Sequence, residues 1–179
     1  MAEQSTYRAL PGPFHQCFFP IGGFGFINNR TENDDKLPDS MMEDVDGKPA
    51  AVVDKTSKIN LVVFWASWCG PCRAEIPSLK KVHERYGKSG IGFVSVSIDK
   101  DKAKWKTALK EENMSWRQLR IPEGARPKME ARYNLGSIPQ IYIIDGKQNI
   151  IKHIVGMEDD NDTVLGKSLD SLLAKQQKQ

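Results

Sequence analysis

Cysteine is scarce in this chain: there are three in 179 residues, and two of them stand only three positions apart. So few cannot build the disulfide framework of a small secreted scaffold. Nor could Cys69 and Cys72 staple much, because closing a four-residue loop contributes roughly 2 kcal/mol, against about 3 for a fifteen-residue loop. A surplus of one charge is also missing, with 26 Lys and Arg against 23 Asp and Glu, and no nucleic-acid or membrane-surface partner is implied. Long apolar runs are absent too. The stretch from Cys17 to Ile27 is interrupted by Pro20 and three glycines, and it is too short to span a bilayer, which takes about 20 apolar residues. It has no basic leader and no small-residue cleavage site, and His15-Gln16 does not suit lipoprotein acylation of Cys17. The expectation is a chain without a membrane-spanning segment, signal peptide or anchor. Its compartment stays open, since a C-x-x-C pair suits a reducing or an oxidising milieu.

What is present fits an ordinary globular domain: 39% hydrophobic and 27% charged residues, in a length that lets roughly 70% of the unfolded surface be buried. Residues 1–35 are aromatic, Gly/Pro-rich and then polar, and read as an irregular N-terminal extension ending in a linker. A single domain is expected over 36–175, with a short tail at 176–179. From Ser40 a hairpin turns at Asp46-Gly47. Leu61 to Ala66 is a continuous β-branched and aromatic run, the pattern of a buried central strand. Helical spacing follows at Cys72, Ile76, Leu79, Val82 and Tyr86, ended by Gly87. A second buried strand spans Ile91 to Ile98, and Asp99 or Asp101 caps a helix running to about Asn113. The chain is mixed from there to Pro127. A short helix at Lys128 to Tyr133, a hairpin about Asp145-Gly146 and an amphipathic helix from Asp162 to Lys175 complete the order. Strands alternating with helices predict an α/β fold, a partly parallel central sheet covered on both faces.

The chemistry concentrates at Trp68-Cys69-Gly70-Pro71-Cys72. A strand ending at Ala66 and a helix starting near Cys69 put the first thiol at a helix N-terminus, where free N–H groups and the dipole favour an anion. The thiolate is the nucleophile of disulfide exchange. A dipole contribution of roughly 0.3–2 kcal/mol lowers a thiol pKa by about one unit. A fall from about 8.5 to about 7 raises the thiolate fraction at pH 7 roughly seventeenfold. Lower basicity takes back about four- to sixfold of that, so the larger consequences are a better leaving group and a set redox poise. Cys72, one helical turn further in, is expected to be the buried resolving thiol. Gly70 leaves room for a substrate backbone, and Pro71 is tolerated in the first helical turn. A zinc site is disfavoured because four ligands are needed and the third cysteine lies far upstream, so no metal is expected.

Phe64-Trp65-Ala66-x-Trp68-Cys69-Gly70-Pro71-Cys72 resembles the thioredoxin active-site sequence, and Pro77 falls where thioredoxins kink the active-site helix. Ile138-Pro139, with Gly136 nearby and the strand Ile141 to Ile144 after it, resembles the family's cis-proline loop. That resemblance implies that the loop faces the cysteines, that Pro139 is cis and that the Ile138 backbone pairs with an extended substrate strand. Three features narrow the likeness to TlpA/ResA-type thioredoxins: the early hairpin, the run Arg73-Ala74-Glu75-Ile76-Pro77, and a central insertion between Asp99 and Pro139. The fold implied is a thioredoxin fold with a mixed sheet, an N-terminal hairpin and that insertion. Members of this type are often envelope-located in bacteria. Where most thioredoxins carry a buried Asp, six residues before the first cysteine, this chain has Val63. The resemblance shifts the proton-handling role to Glu75, one turn beyond Cys72. Two readings stay open there: a desolvated acid exchanging a proton with Cys72, or a solvated Glu favoured by the helix dipole.

Trp65 reads as core, and Trp68 as a flat apolar contact for substrate. Cys17 reads as a buried small hydrophobe or, less simply, a regulatory disulfide partner. His83 and His153 read as structural, and Lys100, Lys102, Lys104 and Lys106 as a solvated surface. The function expected is a monomeric thiol–disulfide oxidoreductase with no cofactor beyond its own Cys69–Cys72 disulfide. Its partners would be a protein disulfide substrate, a cytochrome c precursor among the possibilities, and an upstream thiol electron donor. The alternatives are a disulfide isomerase or oxidant, and a redox-responsive binding module without turnover.

Overall fold

The structure, a computed structural model, describes residues 36–157 and 160–176. The expectations for the 1–35 extension, for Cys17 and for the tail after Gln176 lie outside the described residues. The elements run β1 (Met41–Asp44), β2 (Pro49–Ala51), β3 (Ile59–Trp65), α1 (Gly70–Tyr86), β4 (Ile91–Ser97), α2 (Lys102–Glu112), β5 (Arg117–Arg120), α3 (Arg126–Tyr133), β6 (Gln140–Asp145), β7 (Ile150–Val155) and α4 (Asn161–Gln176). One seven-stranded sheet has the order β2-β1-β5-β4-β3-β6-β7. Strands β3, β4 and β5 are parallel, and the flanking pairs are antiparallel. The sheet is therefore mixed.

Every residue of β3 and β4 is buried, the polar Asn60, Ser95 and Ser97 included, as central strands covered on two faces must be. Alternation sorts the side chains. Val62, Phe64, Tyr142 and Ile144 join one apolar cluster with Tyr133 of α3, while Ile59, Leu61, Val63, Ile141 and Ile143 join the other with Leu79 and Val82 of α1 and Leu165 and Leu169 of α4. Val63, standing where an acid was looked for, is core.

Both hairpins use one turn geometry. In each, an Asp carbonyl accepts from the N–H three residues on, Gly47 to Asp44 at 3.0 Å and Gln148 to Asp145 at 2.9 Å, and that third residue has positive φ. Gly47 (φ 86°) takes the position freely. At the second hairpin Gln148 (φ 71°) takes it, and not Gly146 as the Asp-Gly pair suggests. There Asp145 Oδ1 accepts from the N–H groups of Lys147 and Asn149 at 2.8 and 2.9 Å, which fastens the turn from inside.

Strand β5 occupies the stretch read as mixed. It carries Arg at both ends and no apolar alternation, because its polar side chains bind neighbouring elements. Arg117 donates to the carbonyls of Ala51 (2.8 Å) and Val52. Arg120 donates to the carbonyl of Asp99 (3.1 Å) and to Glu43 of β1 (2.8 Å). The N-terminal hairpin pairs directly on β5, so the central insertion supplies its docking edge. Of the α2 lysines, Lys102 approaches Glu43 at 3.8 Å and is not wholly solvated.

Candidate active site

Cys69 is the N-cap of α1, in extended backbone conformation (φ −87°, ψ 101°). Gly70 and Pro71 fill the first two helical positions; Pro71 has no N–H, and the capping donor is Cys72, whose N–H donates to Cys69 Sγ at 3.2 Å. The sulfur thus takes the place of the usual capping oxygen. Any negative charge on it is met by that N–H and by the positive end of a 17-residue helix. Cys69 and Cys72 are joined as a disulfide with Cα atoms 5.2 Å apart. Only a small part of either shows: Cys69 is 6% exposed and Cys72 2%. Cys69 is the more exposed residue of the two.

The strand-to-helix connection is held by Asp99, just after β4. Its carboxylate accepts from the Ser67 N–H (2.8 Å), the Ser67 hydroxyl (2.6 Å) and the Ser97 hydroxyl (2.6 Å). The sequence offered Asp99 only as a possible helix cap. That cap is Asp101, which accepts from the N–H groups of Ala103 and Lys104. Buried polar groups require partners, and an Asp two residues before the actual cap, at the end of a wholly buried strand, was the signal available.

Opposite the cysteines lies the segment between α3 and β6. The Ile138 carbonyl oxygen is 3.8 Å from Cys69 Sγ, and the Ile138–Pro139 bond is cis. Pro139 is buried, its carbonyl accepting from the Gly156 N–H at 2.8 Å, while Ile138 is half-buried. Trp68 is 61% exposed, whereas Trp65 is core.

Glu75 is 1% exposed, which rules out the solvated reading. Asn161, fully buried at the start of α4, donates its Nδ2–H to Glu75 Oε2 at 3.0 Å. Neighbouring Arg73 is engaged elsewhere, with Glu112 and Glu111 of α2, and its hydrogen bonds to them raise its pKa above the ordinary guanidinium value. His83 packs between Phe93 and Trp116, and His153 stacks on Tyr142 with ring centroids 4.0 Å apart. Both have structural settings. Among the described residues no group of three or more His, Cys, Asp or Glu could hold a metal ion, and no helix is long and apolar enough to cross a membrane.

A helix-capping cysteine, a second sulfur one turn inside and a facing loop make a site for thiol–disulfide exchange, and comparison with known proteins points the same way. Residues 32–169 match the Redoxin family. The chain is 23% identical over 134 residues to the thiol-disulfide oxidoreductase ResA of Bacillus cereus, covering 75% of this chain and 76% of that protein. It is 32% identical over 122 residues to the thiol:disulfide interchange protein HelX of Rhodobacter capsulatus, covering 67% of this chain and 64% of HelX. Among solved structures it resembles a putative thiol:disulfide interchange protein DsbE from Chlorobium tepidum, with TM-score 0.68 and 26% identity over 78% of this chain and 96% of the other. The chain belongs to the Redoxin family, and within it is a thiol–disulfide oxidoreductase of the TlpA/ResA type.

Proposed function

We propose that the enzyme is a reductant of protein disulfides, with Cys69 as nucleophile, Cys72 as resolving thiol and Glu75 as proton acceptor. The observation that carries the exchange chemistry is the Cys72 N–H aimed at Cys69 Sγ from a helix N-terminus, which stabilises sulfur as a thiolate and as a leaving group; the reducing direction rests on the Gly-Pro interior. In the dithiol state the Cys69 thiolate attacks one sulfur of the substrate disulfide. A Cys69–substrate disulfide forms, and the other substrate sulfur leaves as a thiolate that takes a proton from water. Cys72 then gives its proton to the Glu75 carboxylate and attacks Cys69 Sγ, closing the Cys69–Cys72 disulfide and releasing the second substrate thiolate. The substrate gains two electrons and the enzyme loses two. An upstream dithiol donor restores the starting state by the same exchange in reverse.

Burial supports the role of Glu75, since a carboxylate held away from water is the stronger proton acceptor, desolvation disfavouring its charged form. Trp68, Gly70, Pro71 and Ile138 form the surface on which the substrate chain lies, and the buried Pro139 fixes the loop that presents Ile138. The Gly-Pro interior resembles the reducing members of the family and favours reduction over isomerisation. An envelope location and a cytochrome c precursor as substrate are what the same resemblance suggests.

The test is the equilibrium of the Cys69–Cys72 pair with glutathione, together with turnover in insulin reduction. A potential near that of thioredoxin, about −270 mV, is expected. One near that of strong oxidants, about −120 mV, would replace the reductant by an oxidant or isomerase. Reaction with one equivalent of substrate and no turnover would replace the enzyme role in this reading by a redox-responsive binding module.

A further inference from the structure

Gln140 is a polar residue at the start of a buried strand, directly after Pro139, and it is 2% exposed. Its carboxamide has two N–H donors and an oxygen with two lone pairs, and all four are used. Nε2 donates to the backbone carbonyls of Asn134 and Ser137, each at 2.8 Å. Oε1 accepts from the Tyr142 hydroxyl at 2.8 Å and faces His153 Nε2 at 3.0 Å. The orientation of the amide is fixed by its partners. Carbonyl oxygens only accept, so the NH2 end must face Asn134 and Ser137, and His153 must carry its hydrogen on Nε2. Tyr142 and His153 are cross-strand partners on β6 and β7, and their stacked rings hold both donors in place.

The two carbonyls that Gln140 ties together bracket the loop leading to Ile138, whose own carbonyl faces Cys69 Sγ. One buried side chain therefore sets where this loop stands relative to the sulfur. We propose that Gln140 is a positioning residue for the substrate: its amide, locked by His153 and Tyr142, holds residues 134–139 at the distance from Cys69 that an extended substrate chain requires. The proposal rests on the reading that protein disulfides dock along this loop.

The test uses the full chain with Gln140→Met, which keeps volume and loses the four hydrogen bonds, and His153→Phe, which keeps the stacked ring and loses one. Insulin reduction gives kcat and KM, and alkylation of reduced Cys69 by iodoacetamide reports the thiolate without a docked substrate chain. Loss of pre-organised binding raises KM about tenfold in Gln140→Met and about two- to threefold in His153→Phe, with kcat and alkylation each within about twofold of the parent. A Gln140→Met protein that melts earlier but keeps its KM would make the amide merely structural and overturn the proposal. So would an alkylation rate that falls in step with kcat/KM, since the effect would then lie at the sulfur. If Gln140→Met does not fold, an unchanged KM in His153→Phe overturns it as well. A parent that turns over no protein disulfide would remove the docking reading and this inference together, whereas parent turnover with unmoved variants removes the inference alone.

Discussion

The two walls of the site are built on different principles. On the α1 side the reacting sulfurs are placed by backbone, through a helix N-terminus and the Cys72 N–H on Cys69 Sγ, and the Asp99 side chain fastens the connection before them. On the other side a neutral amide holds the facing loop, and its donors come from the sheet. Reactivity and docking are therefore fastened by separate groups, and each should fail separately. The largest expected effect lies on the first wall. Cys69→Ser removes the nucleophile and should abolish insulin reduction while the urea midpoint of the reduced protein stays near that of the reduced parent. Cys72→Ser should accumulate the mixed disulfide, visible as a covalent adduct on non-reducing gels. If iodoacetamide labels Cys72 before Cys69 in the parent, the two roles must be exchanged.

The next effect is one of stability. Asp99→Ala leaves the Ser67 N–H and two serine hydroxyls without their buried acceptor, and should cost about 3 kcal/mol in urea unfolding. Asp99→Asn keeps acceptor capacity on one oxygen and should cost less. A change below about 1 kcal/mol in the alanine variant would mean that water replaces the carboxylate and that the connection is held by the helix alone.

The contrast between the walls also explains what could be read from the sequence. Backbone-built features announce themselves through residue type and spacing. Val62-Val63-Phe64 marks the central strand, the apolar period of α1 marks its buried face, and the spacing of strand and helix puts Cys69 at the first turn. Features built by buried polar side chains left weaker marks. Strand β5 escaped because Arg117 and Arg120 spend their side chains on Glu43, Asp99 and the carbonyls near Ala51 rather than on an apolar face. Gln140, Asn161 and Asp99 escaped because each needs partners from distant segments, and a lone polar residue in a strand or at a helix start has no period to betray it. The burial of Glu75 depended on α4, 86 positions downstream, arriving over it.

A third experiment asks whether the first wall contains a proton path as well as a nucleophile. Glu75→Gln preserves the shape of the side chain and an oxygen to accept from Asn161. It should leave the fold intact and change the pH dependence of Cys69 alkylation, by removing a charge that the neighbouring sulfurs otherwise feel. Superimposable profiles for variant and parent would end the proton role of Glu75 and leave it as a buried tie between α1 and α4.

The smallest effect lies at the far end of α1, and it tests whether the helix that carries the sulfurs is also sensitive to acid away from them. His83 packs between Phe93 and Trp116, and desolvation by burial lowers its pKa below the ordinary value of 6.5. The folded protein therefore prefers the neutral ring, and the unfolded chain takes up the proton at higher pH. The contribution to stability is complete above about pH 6.5 and is lost as the pH falls through the lower folded value. His83→Phe keeps an aromatic ring between the same neighbours and cannot titrate. Unfolding free energies in urea from pH 7.5 down to pH 5 should decline less steeply in the variant than in the parent, with the curves closest above about pH 7. Parallel slopes would show that the ring reaches water freely enough to titrate alike in both states, and would confine the pH sensitivity of α1 to its N-terminus.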